Sequence, residues 1–175
     1  MSEESSKTKH CCQADRCSTI CRRSKKGQYP WSGTQEVLES PFRQRFIERK
    51  HTHLLDSEAI NEFREFAGMY VVIVFSEQWC KDCARHVPVL ALISESTELR
   101  VRIFGGLKKD TLSTVRKWMI PPSPHEVETF GVDRPPLIVI VNRRGEDVGR
   151  IAENLKQMPP LEEELLTVVR ARNGF

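Results

Sequence analysis

Tyr70-Val71-Val72-Ile73-Val74-Phe75 runs, after three intervening residues, into Trp79-Cys80-Lys81-Asp82-Cys83. Six consecutive apolar residues without alternation predict a strand covered on both faces, the central strand of an α/β sheet. The two thiols follow where a helix starts, the first at its beginning and the second three positions on. Within one turn they can close a disulfide. A helix start also presents unpaired N–H groups and the positive end of the macrodipole, both of which favour a thiolate. Cys80 is therefore the expected attacking sulfur, with Cys83 as its resolving partner.

Working outward, a helix is expected from about Cys80 to Ser96, bent by Pro88, then a strand from Leu99 to Phe104 ended by Gly105-Gly106. A helix from Asp110 or Thr111 to about Met119 follows, then an irregular Pro121-Pro122-Ser123-Pro124 link and a short helix through Val127 and Phe130. Leu137–Val141 and Asp147–Ala152 read as strands of a hairpin joined by Asn142-Arg143-Arg144-Gly145, and Pro160 or Leu161 opens a closing helix to about Arg172. On the N-terminal side, residues 1–30 are polar and aperiodic and read as a disordered tail. Residues 31–55 read as a helical extension, in which Thr34 caps a helix through Val37 and Leu38, and Pro41 opens another with Phe42, Phe46 and Ile47 on one face. Asp56 or Ser57 starts the domain proper, 56–175, with Ile60, Phe63, Phe66 and Ala67 on one helical face and Gly68 at its end.

From about Ile60 to Asn173 the chain resembles thioredoxin. The resemblance rests on Trp79-Cys80-x-x-Cys83 after a strand, on Pro88 five residues past the second cysteine, and on Gly131-Val132-Asp133-Arg134-Pro135-Pro136-Leu137 opening another apolar strand. In that family the last segment carries a cis-proline facing the cysteines, and Pro136 holds its position. The resemblance implies a thioredoxin-like α/β fold, a central mixed β-sheet flanked by helices. It implies a thiol–disulfide oxidoreductase of the protein-disulfide reductase type, with no bound cofactor. Its partners would be disulfide-containing protein or small-molecule targets and a thiol or reductase that donates electrons. Trp79, Pro135 and Pro136 then become substrate-binding residues. Trp79 reads equally as a half-buried ring sealing the helix start, and Pro135-Pro136 also reads as a turn without a site role. A zinc ribbon would need a second cysteine pair, which the core lacks.

The chain departs from the family pattern in three respects. Lys81 and Asp82 stand where thioredoxins usually carry Gly-Pro; Lys81 favours a neighbouring thiolate and Asp82 opposes it, so both tune the redox pair with conflicting signs. The family's buried aspartate, six residues before the first cysteine, is Val74 here. Glu77 is the nearest candidate acid/base, against the alternative of a solvated loop charge. Pro135, preceding the expected cis-proline, has no N–H with which to pair a bound strand.

The remaining chemistry lies in the tail, where Cys11, Cys12, Cys17 and Cys21 stand beside His10. These soft ligands give a second function hypothesis, a metal-binding or metal-delivery protein on a thioredoxin scaffold, although their spacing fits no common zinc pattern. His51 and His53 fall in a charged stretch and read as surface residues. The chain has 175 residues, 39% of them hydrophobic, enough for one core plus an extension. Its net charge of +3 is dispersed, with a local excess only at Arg22-Arg23-Ser24-Lys25-Lys26, which argues against nucleic acid as the primary partner. No apolar run approaches the roughly 18 residues of a spanning helix, and the first residues lack the apolar stretch of a secretory signal, so no membrane association and a cytoplasmic location are expected.

Overall fold

The computed structural model describes residues 28–29, 38–115, 117–152 and 159–174. The elements are β1 (Gln28–Tyr29), α1 (Ser40–Thr52), α2 (Ser57–Phe66), β2 (Tyr70–Phe75), α3 (Lys81–Thr97), β3 (Arg100–Phe104), α4 (Glu126–Phe130), β4 (Leu137–Asn142), β5 (Asp147–Ile151) and α5 (Leu161–Asn173). They form a mixed sheet of order β1-β3-β2-β4-β5. β2 runs parallel to β3 and antiparallel to β4, and β4 pairs antiparallel with β5.

The uniform apolarity of β2 is explained by the two layers it separates. Successive side chains of a strand point to opposite faces. Val72 and Val74 join Ile138 and Ile140 of β4 in a core covered by Phe63 of α2, Leu90 of α3 and Leu165 of α5. Val71, Ile73 and Phe75 join Val139 and Val141 on the other face, under Trp118, Val127 and Phe130. β2 and β4 therefore carry no solvent face, and polar residues are confined to their ends.

Local chemistry sets the boundaries of the elements. Asp56 caps α2 by accepting the N–H groups of Glu58 and Ala59, and Pro41 occupies the first turn of α1. In the β4–β5 turn, Asn142 Oδ1 accepts from the N–H groups of Arg144 and Glu146, while Gly145 takes the positive φ of 76° that closes the turn. α5 is tied to α2 by Arg170, whose guanidinium donates to both oxygens of Glu62 and to Glu163.

Two expectations from the sequence are corrected. The expected helix from Asp110 to Met119 does not form among the described residues, which make turns there and a single antiparallel bridge between Lys108 and Ile120. Asp110 accepts the N–H of Leu112 with its own carboxylate, offering the backbone an alternative to a helical turn, and Trp118 is drawn into the core. The second correction concerns the tail: Gln28 and Tyr29, within the segment expected to be disordered, pair antiparallel with Phe104 and Ile103. The remaining residues of that tail, and the helix expected from Thr34 through Val37, lie outside the described residues; Leu38 is buried in the core.

β5 meets α5 at a position where only glycine fits. A Cβ placed on Gly149 would run into Val168 Cγ1. Gly149→Ala is expected to lower the unfolding free energy by about 1–3 kcal/mol through overpacking. Urea denaturation checks this, and Val168→Ala in the same chain should recover part of the loss.

Candidate active site

β2 ends at Phe75 and the chain crosses through Ser76-Glu77-Gln78-Trp79 to α3, whose N-cap is Cys80. As a cap, Cys80 turns its sulfur back over the first turn: Sγ accepts the N–H of Cys83 at 3.2 Å. The same sulfur lies 3.7 Å from the carbonyl oxygen of Pro135. Cys83, one turn in, is buried, and its sulfur accepts the N–H of Glu77 at 3.4 Å. Both cysteines are free thiols, Cys80 half-buried and Cys83 enclosed.

This asymmetry separates their acidities. The Cys83 thiol donates toward Cys80 and, with the backbone N–H groups of Cys83 and Asp82, lowers the Cys80 pKa to about 7 against the opposing effects of burial and the Asp82 carboxylate. Burial, reinforced by its neighbour's charge, pushes Cys83 far up. One sulfur is thus ready to attack near neutral pH while the other is held protonated.

The Pro135-Pro136 peptide bond is cis, and both rings are buried. The loop they form faces the cysteine pair through the Pro135 carbonyl, an acceptor with no donor beside it. Trp79 is 51% exposed and stacks on Trp118, with ring centroids 6.0 Å apart and planes at 22°. Trp118 in turn donates its indole N–H to the carbonyl of Asp133. Trp118 thereby joins the cysteine turn to the loop of Pro135. Sequence reasoning missed it because the residue fell inside the helix expected from Asp110 or Thr111 to about Met119.

Glu77 is only 6% exposed, which overturns its reading as a solvated loop charge. Burial raises its pKa to about 7, opposed by weaker support from the backbone of Leu107 and Gln78 and the indole of Trp79, and Oε1 has no hydrogen-bond partner. The carboxyl is thus enclosed in the turn before Cys80, and the backbone N–H of the same residue is the group that meets Cys83 Sγ. Val74, at the position of the family's aspartate, lies in the same apolar cluster as Cys83.

Lys81 lines a cleft on the α1 side of α3, together with Arg85 and His86. Asp82 lies 3.7 Å from Arg85. His51 is exposed as expected, but His53 is partly buried and bonded through Nε2 to Glu162 Oε1 at 2.7 Å. Cys11, Cys12, Cys17 and Cys21 lie outside the described residues; among the described ones no cluster of three or more His, Cys, Asp or Glu side chains is arranged to hold a metal ion. Among the described residues, no helix is long and apolar enough to cross a membrane.

Comparison with known proteins bears on the whole frame. No curated protein sequence matches the chain. Among solved structures, a protein of unknown function from Pseudomonas aeruginosa is similar with a TM-score of 0.54 at 14% identity, covering 82% of each chain. An HIV epitope scaffold is similar with a TM-score of 0.55 at 12% identity, covering 80% of this chain and 82% of its own. Thioredoxin from Aeropyrum pernix aligns at 21% identity over 66% of this chain and 83% of its own, with a TM-score of 0.34. At these identities the first two likenesses concern the fold alone. The thioredoxin family model matches residues 36–165, a span that holds the cysteine pair, the cis-proline loop and every long strand of the sheet. The chain belongs to the thioredoxin family.

Proposed function

We propose that the protein is a thiol–disulfide oxidoreductase that reduces target disulfides through Cys80 and Cys83. The observation that carries this reading is the division of labour between the two sulfurs, one half-buried with a pKa of about 7 and the other buried and protonated. In the first step the Cys80 thiolate attacks one sulfur of the target, the target S–S bond breaks, and a mixed disulfide forms while the other target sulfur leaves as a thiol. Cys83 then gives up its proton, with the Glu77 carboxylate as acceptor, and attacks Cys80 Sγ. The Cys80–Cys83 bond forms and the second target sulfur departs. Two electrons have passed to the target, and an external dithiol or a reductase returns them. No bound cofactor takes part. The cycle suits a reducing compartment such as the cytoplasm expected from the sequence.

Trp79 and the Pro135 carbonyl are the contacts for the target in this reading. A Cys83→Ser variant tests it, since removing the resolving sulfur should leave targets attached to Cys80 as mixed disulfides. Turnover of 2-hydroxyethyl disulfide with dithiothreitol should fall, and mass spectrometry should find the adduct on Cys80. Undiminished turnover without an adduct would sink the reading.

A further inference from the structure

The first turn of α3 borders a cleft of about 540 Å³ that the redox cycle leaves unused. Its walls come from α1, α3 and the start of α5, and its lining includes Arg49, Lys81, Arg85, His86 and Glu162. Arg49 donates its Nε–H to the carbonyl of Arg85 at 3.3 Å, which anchors its guanidinium across the two helices. Lys81 follows Cys80 directly, so the cleft begins one residue from the nucleophile.

The floor carries the second observation. His86 is only 5% exposed and lines the cleft, yet its Nε2 has no hydrogen-bond partner. A buried polar atom left unpaired costs about 1–3 kcal/mol and calls for a partner supplied from elsewhere. Burial and the nearby charge of Arg85 lower the His86 pKa to about 4, so at neutral pH the ring is uncharged, and Nε2 donates in the tautomer that carries its proton there and accepts in the other. The opposing charge in the cleft is Glu162, whose Oε1 is held by His53 at 2.7 Å while its buried Oε2 has no hydrogen-bond partner. Asp82 lies 3.7 Å from Arg85 at the rim. Two guanidinium groups and an ammonium outnumber the carboxylates of Glu162 and Asp82, and together with the buried imidazole they suit a compact organic anion.

We propose that this cleft is a subsite for the carboxylate of a small disulfide, so that the protein prefers anionic disulfides to neutral or cationic ones. The substrate assignment rests on the reductase reading above; the binding of a carboxylate does not. One half of the disulfide would place its carboxylate among Arg49, Lys81, Arg85 and His86 while its sulfur meets the Cys80 thiolate. The electron balance is that of the cycle already given.

Three disulfides of similar size separate the cases: 3,3′-dithiodipropionate, 2-hydroxyethyl disulfide and cystamine. Each rate is divided by the rate of its uncatalysed reaction with dithiothreitol. We expect kcat/KM to fall in that order, with about tenfold or more between the first and the last at low salt and less at high salt. In the double variant Arg49→Gln, Arg85→Gln the ratio of the first to the second should fall toward one. Binding of 3,3′-thiodipropionate, which has no disulfide to exchange, should be detectable by calorimetry with the full chain and lost in the same variant. Equal ratios for all three disulfides, or a preference for cystamine, would overturn the substrate assignment. Absence of thiodipropionate binding would overturn the subsite. Failure to turn over any disulfide, with thiodipropionate binding intact and Arg-dependent, would remove the reductase reading and leave a carboxylate site.

Discussion

Cys80→Ser should lower turnover of 2-hydroxyethyl disulfide by about 10³-fold or more, because a serine hydroxyl is not ionised near neutral pH and forms no mixed disulfide. The wild-type thiol adds a quantitative signature. Its pKa is lowered to about 7, so the thiolate forms as pH rises through that value and is lost below it. Iodoacetamide should therefore modify the reduced protein at Cys80 with a rate that falls about tenfold from pH 8 to pH 6, whereas an ordinary thiol of pKa about 8.5 is already largely protonated at pH 8. Peptide mapping after brief exposure reads which sulfur reacted, with residues 1–25 deleted to remove the competing thiols Cys11, Cys12, Cys17 and Cys21. Modification mainly at Cys83 would reverse the assignment of nucleophile and resolver.

Glu77→Gln should act on both rate and stability, and the two effects have different pH dependences. The amide accepts no proton, so resolution of a mixed disulfide by Cys83, followed in single turnover, should slow by about 10²-fold above pH 7 and less below it. For stability the sign follows from the direction of the shift. Burial raises the Glu77 pKa from 4.5 to about 7, so its contribution is full below pH 4.5 and is lost as pH rises through 7, where the fold must enclose a charge. Glutamine has no such charge. The stability of the variant relative to wild type should thus grow by roughly 1–3 kcal/mol between pH 5 and pH 8 in urea denaturation. Parallel stability curves would show that Glu77 titrates like a solvated carboxylate, and an unchanged resolution rate would remove it from the proton path.

The sheet was legible because its signals are local and repeated. The unbroken run Tyr70–Phe75 marked a strand with two covered faces, and Asn142 with Gly145 marked the hairpin, each through chemistry that acts within a few residues. The cysteine pair was legible for the same reason, since cap and first turn are adjacent in sequence. Glu77 could be named as a candidate but its burial could not be read, because its enclosure depends on Leu107 and Trp79 and nothing in Ser76-Glu77-Gln78 shows which loop closes over it. Trp118 was hidden for a related reason. Its stacking on Trp79 and its bond to Asp133 join segments apart in the chain, and the helix expected from Asp110 gave way to an aspartate that bonds its own backbone. His86 looked like any residue of a buried helix until α1 and α5 were placed around it.

In the proposed reductase cycle, Pro135 would set how the protein discriminates among targets. A main chain laid beside the loop finds the Pro135 carbonyl and no N–H, so it can donate to the protein there but cannot accept. Two-way main-chain pairing makes recognition indifferent to sequence, because every peptide carries the same pair of groups. With one direction missing, generic unfolded chains would gain less from docking and leave sooner. Under that proposal selectivity would shift from the polypeptide backbone, common to all proteins, to whatever side chain or charge a particular target presents, and such a reductase would serve a short list of clients rather than the whole proteome.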